Sequence, residues 1–542
     1  MIRHGRVQRG GGASLTQGSD GGPAEFMNNE QEQDIGAPTA PTPRVLQELF
    51  SVDIRSLAVL RIGISLMVLI DLARRTWWID LFYSDRGIVT ASQASELLGP
   101  GYWSLYWFNG SAFFAQSLFL LTALSAIGLL AGYRTRWMNI LCLVLVWSLQ
   151  MRNPMLLTAG HILLRMMLFW MLFLPVASVW SLDAFFKKKP QRYPQKILSV
   201  ASAAILLQVA YVYFFSGLAK WNTYWLNGVA MEYAMNLEMY VKPRGEWLLQ
   251  YPEWLQFITL LTLAVEIVGP VLMFVPRCSA FFRGCLMGVF WMLHLGIWLT
   301  MSIGIFSAVA MFAWIVFVPS EVWRSLLGRP AIEHESTTGP AHGTQHWAAN
   351  TIAAVFLVYI TLQNVLFTFS PAEHTVDDSY SGIERVAARV EWFGRVTMTV
   401  QQFRMFDTPP LFDPWYEYGA RLRDGQQADL FTEQIAPLGR RPHSVYDWMQ
   451  NQYWRRIHWN MTTHPSNPPE ELATYEAIRQ QMLFKAVERW NAKHSENPVE
   501  TAWLRCFLTP IQLQSDEPQS LPPAIVWATY KSPKESASGR SD

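Results

Sequence analysis

The chain has 542 residues, of which 51% are hydrophobic, 14% aromatic and only 16% charged. Soluble domains carry roughly 25% charged residues, so this composition excludes an ordinary soluble protein and predicts a polytopic membrane protein. The formal net charge of +1 gives no reason to expect nucleic-acid binding, and the four cysteines are too scattered to form a metal site.

The first 45 residues are predicted to lie outside the folded protein. Residues 1–43 are rich in Gly, Gln and Ser and contain no apolar core. This composition indicates disorder and argues against a secretory signal peptide. Met27 begins the run MNNEQEQD, which is more typical of protein sequence, so Met27 is an alternative start of the chain.

Nine apolar stretches of roughly membrane-spanning length follow, since a spanning helix needs about 17–25 residues. They comprise residues 57–73, 112–132, 137–156, 161–180, 197–219, 254–275, 282–301, 306–318 and 347–367. Basic residues follow the second, fourth, sixth and eighth stretches, so the positive-inside rule places these loops and the N-terminus in the cytoplasm. Arg74 and Arg75, after the first stretch, violate this pattern.

The C-terminal residues differ from the rest because they are polar, Pro-rich and free of spanning stretches. Residues 416–430 indicate two strands joined by Asp424-Gly425, a dipeptide suited to a tight hairpin turn. Residues 472–490 carry apolar residues at helical spacing. We therefore predict an all-α membrane domain of about nine transmembrane helices, followed by a small, β-rich α+β domain.

These boundaries divide the chain into four predicted regions. They are a disordered segment (1–45), a transmembrane domain (46–330), a cytoplasmic loop with the last transmembrane helix (331–369) and an extracytoplasmic domain (370–542). The odd number of spans places the last region outside. The expected location is a bacterial inner membrane, with the N-terminus inside.

Lys220 is the first candidate for a functional residue. An almost uninterrupted apolar helix that begins at Ile197 ends on this lysine, which is followed by Trp221 and Trp225. A lysine in such a place can lose its hydration, which disfavours the charged ammonium form and favours a usable base. The alternative is a snorkelling lysine, whose stem lies in lipid while its head reaches water.

Other ionisable residues inside the spans are candidates because buried charges tend to mark sites or structural pairs. Helical rise places Lys220, His161 and His294 in the outer half of the membrane, where they are predicted to share one cavity, and Glu266 near the middle. Alternatively, His294 is a hydrogen-bonded core histidine and His161 a helix cap. Arg165 is expected to pair with Glu266 or with Asp71.

At these residues the sequence resembles the HTTM family, whose membrane domain is shared with vitamin K-dependent gamma-carboxylase, over about residues 46–329. The matching pieces are LRIGISLMVLIDL, FYSDRGIV, GHILLRMMLFWMLF, WSLD, FFSGLAKWNTYWLNGVAM, VEIVGPVLMFVP and HLGIWLTMSIGIF, in this order. Beyond the last span, QFRMF and LRDG at residues 402–406 and 422–425 are similar to the start of the carboxylase luminal domain.

The resemblance implies an integral membrane enzyme that couples oxidation of a lipid quinol to proton abstraction from, and carboxylation of, a protein glutamate. Lys220 matches the lysine that deprotonates the quinol, His161 matches a histidine assigned to the active-site chemistry, and His294 matches a histidine of a family motif. All three are predicted to be catalytic. Trp221, Trp225 and Tyr213 are predicted to bind the quinone. The implied cofactor is a reduced, vitamin K hydroquinone-like quinone with O2 and CO2 as co-substrates, and no metal is expected. The expected partners are membrane lipid and an extracytoplasmic protein.

One departure from the family pattern keeps other functions open. Ala219 stands where the carboxylase motif has the first lysine of a doublet. A scaffold does not by itself fix a reaction, so a different membrane oxidoreductase or lipid-handling protein is an alternative. A non-catalytic membrane protein whose outer domain binds a partner is a further alternative.

Overall fold

A computed structural model of the protein describes residues 44–187, 195–276, 280–327, 344–369, 382–462, 469–513 and 524–532. Up to residue 369 the elements are, in chain order, α1 (Arg44–Phe50), β1 (Val52–Asp53), α2 (Ile54–Thr76), α3 (Ile79–Tyr83), α4 (Ala91–Leu98), α5 (Ala112–Ala131), α6 (Thr135–Arg152), α7 (Ala159–Met171), α8 (Leu182–Phe185), β2 (Lys196–Ile197), α9 (Val200–Ala219), α10 (Thr223–Leu226), α11 (Ala230–Met235), α12 (Pro243–Leu248), α13 (Pro252–Leu272), α14 (Ala280–Thr300), α15 (Phe306–Trp314), α16 (Ser320–Leu327) and α17 (Thr344–Phe369). The disorder predicted for residues 1–43 lies outside the described residues. Residues 44 and 45, which were included in that prediction, begin α1.

Local sequence signals set the ends of several long helices. Ser199 caps α9 by accepting a hydrogen bond from the Ser202 amide at 3.1 Å, which satisfies one of the amide groups that a helix start leaves without a partner. α13 begins with Pro252, whose ring favours the first helical position. α5 stops at Gly132, which adopts a left-handed φ of 68° that suits glycine.

Six described helices are long and apolar enough to cross a membrane, namely α2, α5, α9, α13, α14 and α17. α15 and α16, separated by a 99° bend, form a seventh candidate if they count as one span. Pro319 lies at this bend, where it cannot continue a helix.

The predicted count of nine spans is not confirmed, although each of the nine stretches contains a helix. α7 has 13 residues and is therefore about 20 Å long, too short for a hydrocarbon core of about 30 Å. α6 has 18 residues, but Arg136, Asn139 and Arg152 lower its mean hydropathy. The apolar stretches in the sequence did not show that α7 would be this short or that the polar residues of α6 would matter.

The surfaces of the spanning helices carry large apolar side chains that protein atoms leave mostly uncovered. On α14, Phe281 is 82% exposed and Met292 66% exposed, and on α17 Val358 is 69% exposed. Exposed apolar surface of this extent in water would be unfavourable, at roughly 25 cal/mol per Å². In a lipid bilayer the same side chains meet hydrocarbon, so the described helices fit an integral membrane protein.

Arg75, one of the two arginines that violate the positive-inside pattern, is not a loop residue. It lies in the last turn of α2, is buried, and donates from Nε to Asp71 Oδ2 at 2.7 Å. It also contacts the Tyr83 hydroxyl group. Because its charge is neutralised inside the protein, it gives little information about which side of the membrane the loop occupies.

After residue 381 the chain forms a β-sheet flanked by helices. The elements are α18 (Gly382–Val396), β3 (Phe412–Leu422), β4 (Gln427–Asp429), β5 (Gln434–Ile435), α19 (Val445–Trp448), α20 (Gln452–Thr462), α21 (Pro469–Lys493), β6 (Val499–Pro510) and β7 (Ile525–Lys531). The sheet is antiparallel, in the order β5-β4-β3-β6-β7. The predicted α+β character of this part is confirmed.

The predicted hairpin at Asp424-Gly425 is also confirmed, since β3 and β4 pair with Arg421 opposite Gln427. Gly425 adopts a φ of 85° and its amide donates to the Leu422 carbonyl at 2.9 Å. β6 and β7 were not predicted. β6 pairs along the whole of β3, where the cross-strand neighbours Trp415 and Phe507 stack with ring centroids 3.9 Å apart.

Helices of the C-terminal part dock on loops at one end of the helical part. Asn460 of α20 donates to the Met155 carbonyl at 2.7 Å, and Arg456 donates to the Leu157 carbonyl at 3.0 Å. Gln481 of α21 donates to the Gly87 carbonyl at 3.2 Å. These contacts hold the C-terminal part over the end of the helices where Lys220 also lies.

Candidate functional site

Lys220 follows the last residue of α9 and is only 3% exposed. Its Nζ donates to Glu266 Oε2 of α13 at 2.6 Å and to the Ser216 hydroxyl oxygen at 2.6 Å. A snorkelling lysine would instead extend its ammonium group into water. Lys220 therefore does not snorkel, because it is held inside the protein by a buried ion pair.

Close packing of α9 on α13 brings the two charged residues together. Gly217 faces α13, and a Cβ atom there would lie 2.7 Å from Ile267 Cγ1 and 3.2 Å from Glu266 Cβ. A glycine at this position allows the helix backbones to approach, as small residues do between membrane helices. Ser216 lies four residues before Lys220 and hence on the same side of the helix.

The Lys220–Glu266 pair borders a mainly apolar cavity of about 60 Å³, which we call the inner cavity. Its polar lining residues are Tyr213, Ser216, Lys220, Thr262, Glu266 and His294. Trp225 forms part of the wall, with the centroid of its indole ring 5.3 Å from Lys220 Nζ. An ammonium group near an aromatic ring is stabilised by a cation–π interaction, especially where water is excluded.

A second polar pair, Tyr213 and His294, lines the inner cavity. The Tyr213 hydroxyl group is hydrogen-bonded to His294 Nε2, and both side chains are buried. Among the residues described, His294 Nδ1 has no hydrogen-bond partner. A buried polar atom without a partner is unfavourable by about 1–3 kcal/mol.

The roof of the inner cavity comes from the segment 401–407, which we call the strap. Its residues Met405 and Phe406 line the cavity. The strap is held by α10 and its N-cap residue, because Trp225 Nε1 donates to the Phe406 carbonyl at 2.8 Å and Asn222 Nδ2 donates to the Asp407 carbonyl at 2.7 Å. A segment distant in the sequence thus closes the site that the helices form.

A larger cavity of about 510 Å³, the outer cavity, lies between the helical part and the C-terminal part. Its basic lining residues, Arg404 and Arg456, outnumber its acidic residue Asp407. Ile303, Phe306, Met405 and Phe406 line both cavities. A single layer of apolar side chains therefore separates the outer cavity from the inner cavity.

His161 lines the outer cavity at the start of α7. Its Nδ1 accepts a hydrogen bond from the Thr158 amide at 3.0 Å, in a reciprocal capping interaction. Its Nε2 lies 3.3 Å from Asp71 Oδ1 and also contacts Arg75. The helix-capping interpretation of His161 is thus confirmed, and both ring nitrogens are engaged by protein groups.

A family model for the HTTM domain matches residues 50–323, which is half of the chain. The chain belongs to the HTTM domain family. No curated protein and no solved structure matches it. The HTTM domain contains Lys220, Glu266 and His294, so it supplies the walls of the inner cavity. The strap and the arginines of the outer cavity lie beyond the matched residues.

The HTTM domain does not place all predicted site residues in one cavity. Lys220, His294, Tyr213 and Trp225 line the inner cavity, whereas His161 lines the outer cavity. The prediction that the two histidines share a cavity with Lys220 is wrong for His161. The helical rise predicted that His161 and Lys220 lie at a similar depth, but it does not predict which way each side chain faces. In the structure Ile303 and Phe306 lie in the wall between the two cavities.

Trp221 was predicted to bind a quinone with Trp225, but it does not line the inner cavity and is 66% exposed. α9 ends just before these residues, and the Asn222 side chain caps the new helix α10. This change of direction turns Trp225 inward, where it is 2% exposed, and leaves Trp221 on the surface.

The predicted pairing of Arg165 with Glu266 or Asp71 is also wrong. Arg165 donates to Gln150 Oε1 at 2.6 Å and to the Val400 carbonyl. Glu266 instead pairs with Lys220, so the two residues lie at one level of the HTTM domain despite their different estimated depths. Helix length alone does not fix how far a helix extends beyond the membrane.

The sequence analysis therefore recognised Glu266 as a charged residue inside the spans but did not place it beside Lys220, and it did not assign the strap to the site. A signal for Glu266 was present in the spacing of Ser216, Gly217 and Lys220, since small residues before a buried lysine indicate a closely packed neighbouring helix. For the strap the sequence offered only the resemblance of QFRMF, residues 402–406, to the start of the carboxylase luminal domain. That resemblance did not indicate that Met405 and Phe406 reach the inner cavity, because the strap has no regular structure and reaches it through tertiary contacts.

Proposed function

We propose that this HTTM protein is an integral membrane enzyme of the carboxylase and epoxidase type. In this proposal the inner cavity binds the reactive head of a reduced quinone. The outer cavity binds an acidic side chain of an extracytoplasmic protein, and the C-terminal part lies outside a bacterial inner membrane. The observation that carries the proposal is a buried lysine that borders an apolar cavity inside an HTTM domain.

The chemistry of the inner cavity fits a reduced quinone, which has hydroxyl groups on an aromatic ring. The Lys220–Glu266 pair offers polar partners for hydroxyl groups. Trp225 and Phe406 offer aromatic surface. The cavity volume of about 60 Å³ holds only a few water molecules. Binding of a ring would therefore require Phe406 and Met405 of the strap to move aside.

Residues of the inner cavity would have separate roles in the reaction. Lys220 would hold a proton at the substrate oxygen, and Trp225 and Phe406 would exclude water from it. Removal of water strengthens the electrostatic interactions inside the cavity. A bound reduced quinone would supply the reducing equivalents for reaction with O2, with CO2 as the second co-substrate. In the outer cavity, Arg404 and Arg456 would attract a carboxylate of the protein substrate.

In this proposal quinol oxidation in the inner cavity and proton abstraction in the outer cavity take place on the two sides of one apolar layer. Phe306 and Phe406 contribute to both linings. The side chains of this layer would shield the inner cavity from bulk water, and they alone separate it from the outer cavity. This arrangement suits coupling of quinol oxidation to proton abstraction from an acidic side chain.

The test is mass spectrometry of membranes that contain the protein, supplied with a reduced naphthoquinone, O2 and CO2. We expect the quinone epoxide and carboxylated glutamate with the wild type, and neither with Lys220→Ala. Lys493→Ala, in the exposed last turn of α21, is the matched control and should behave as the wild type.

The possible results separate the alternatives. Epoxide without carboxylated glutamate would favour a different membrane oxidoreductase on the same scaffold. Absence of both products from wild-type membranes would overturn the proposal. Equal activity of Lys220→Ala and the wild type would show that Lys220 is not part of the reaction.

A further inference from the structure

The ion pair with Glu266 limits the ability of Lys220 to act as a base by itself. The Lys220 Nζ lies 2.6 Å from a carboxylate oxygen of Glu266, to which it donates a hydrogen bond and with which it forms an ion pair. An ammonium group has no lone pair with which to accept a proton. A lysine that acts alone as a base is therefore difficult to reconcile with this geometry.

We infer that Lys220 and Glu266 act as one proton-accepting pair, in which Lys220 contacts the substrate and Glu266 receives the proton. This inference rests on the proposed function, since it requires a substrate with an acidic hydroxyl group in the inner cavity. Glu266 is then a positioning and proton-storing residue that acts through Lys220.

The proton transfer balances without any other reactant. One N–H bond of the Lys220 ammonium group breaks, and its proton forms an O–H bond with Glu266 Oε2. The neutral amine then takes the proton of the substrate hydroxyl group, so that the substrate O–H bond breaks and its electron pair stays on oxygen. At the end Lys220 is again an ammonium ion, Glu266 is a neutral carboxylic acid and the substrate is an oxyanion.

Three features of the structure favour this role. The donor and acceptor atoms are already 2.6 Å apart, so the first transfer needs no movement. The Ser216 hydroxyl oxygen accepts a second hydrogen bond from Nζ at 2.6 Å, which orients the amine. The regenerated ammonium group would remain beside the new oxyanion and stabilise it electrostatically in a site that excludes water.

Few other titratable groups face the pair in the described residues. Tyr213 of α9 and His294 of α14 line the same cavity. α11, α15 and the strap contribute only uncharged side chains to the lining, from Ala230, Met231, Ala234, Phe306, Met405 and Phe406. Glu266 is thus the carboxylate placed to receive the proton of Lys220.

The test uses full-length protein in lipid nanodiscs and 1-naphthol, whose absorbance differs between the neutral and ionised forms. Bound wild-type protein should ionise 1-naphthol at a pH well below that at which free 1-naphthol ionises. In Glu266→Gln the pH at which half of the bound 1-naphthol is ionised should rise, because an amide cannot take up the proton. Glu253→Gln, the same change at an exposed position of α13, should leave ionisation unchanged.

Acylation of Lys220 by an amine-reactive ester, followed by peptide mass spectrometry, provides a measurement that does not depend on the ligand. Loss of the carboxylate should make the lysine react faster in Glu266→Gln than in the wild type. A reactive lysine together with a shift of 1-naphthol ionisation to higher pH is the result expected for the pair.

Two other outcomes contradict the inference in different ways. If Glu266→Gln ionises 1-naphthol at the same or a lower pH than the wild type, Lys220 is the sole base, and only the role of Glu266 is wrong. If the wild type binds 1-naphthol but leaves it neutral, or does not bind it, the proposed use of the inner cavity fails together with the pair.

Discussion

Trp225 donates its indole N–H group to the backbone carbonyl of Phe406, 2.8 Å away. The two residues are far apart in the sequence, and Phe406 lies outside the matched HTTM residues. The hydrogen bond therefore ties the strap to the wall of the inner cavity. Closure of the inner cavity therefore depends on the strap, which lies outside the HTTM domain.

We predict that Trp225→Phe loosens the strap. The variant keeps an aromatic ring but loses one hydrogen bond, which should reduce the free energy of unfolding by about 1 kcal/mol. Hydrogen exchange at the amides of residues 401–407 should become faster. Trp221→Phe is the matched control, because Trp221 is largely exposed and does not line the cavity. Equal exchange rates in the two variants would contradict the prediction.

The apolar stretches and the position of Lys220 at a helix end could be predicted from the sequence, because residues close together in the chain determine both features. An apolar run that ends on a lysine and two tryptophans indicates a helix end near a membrane boundary wherever the helix packs. The hairpin at Asp424-Gly425 was readable for the same reason, since Gly425 suits the positive φ that the turn requires.

Partners across helices were not readable, because they depend on which faces meet. Glu266 was assigned to Arg165 although it pairs with Lys220, and Arg75 was counted as a loop charge although it pairs with Asp71. β6 and β7 were missed because the pairing partner of β6 is β3, more than 70 residues away in the chain. Local periodicity carries no information about such contacts.

Removal of the lysine alone should destabilise the protein more than removal of both charges. Lys220→Met leaves the Glu266 carboxylate buried without its partner, which should lower the free energy of unfolding by about 3–5 kcal/mol. Lys220→Met combined with Glu266→Gln removes both charges and should recover most of the loss. Thermal unfolding in nanodiscs measures both variants. A double variant less stable than the single one would show that the ion pair is not the source of the effect.

We expect Arg456→Gln to weaken binding of an acidic peptide in the outer cavity without affecting the inner cavity. A hydrogen bond to a charged group contributes about 1.5–3 kcal/mol, so the KM for the peptide should rise roughly 10- to 150-fold. Quinol oxidation in the absence of peptide should be unchanged. Arg440→Gln, at an exposed position, is the control. A KM that does not change would exclude a role of Arg456 in peptide binding.

The C-terminal part should lose stability in mild acid because of His458. This residue of α20 is buried, with Nε2 2.9 Å from the Tyr418 hydroxyl group and Nδ1 2.8 Å from the Trp454 carbonyl. Burial lowers the pKa of His458 to about 4 from its usual 6.5, and the hydrogen bond to Trp454 opposes only part of this effect.

The pH range of the effect follows from proton uptake by the unfolded chain. Between pH 6.5 and 4 the unfolded chain binds a proton at His458 that the folded protein does not. Stability should therefore be complete above pH 6.5 and fall by roughly 3 kcal/mol as the pH is lowered to 4. His458→Asn should be less stable at neutral pH, because it loses packing, but its stability should change less over this range. Thermal unfolding midpoints at several pH values measure both slopes, and equal slopes would show that another group titrates.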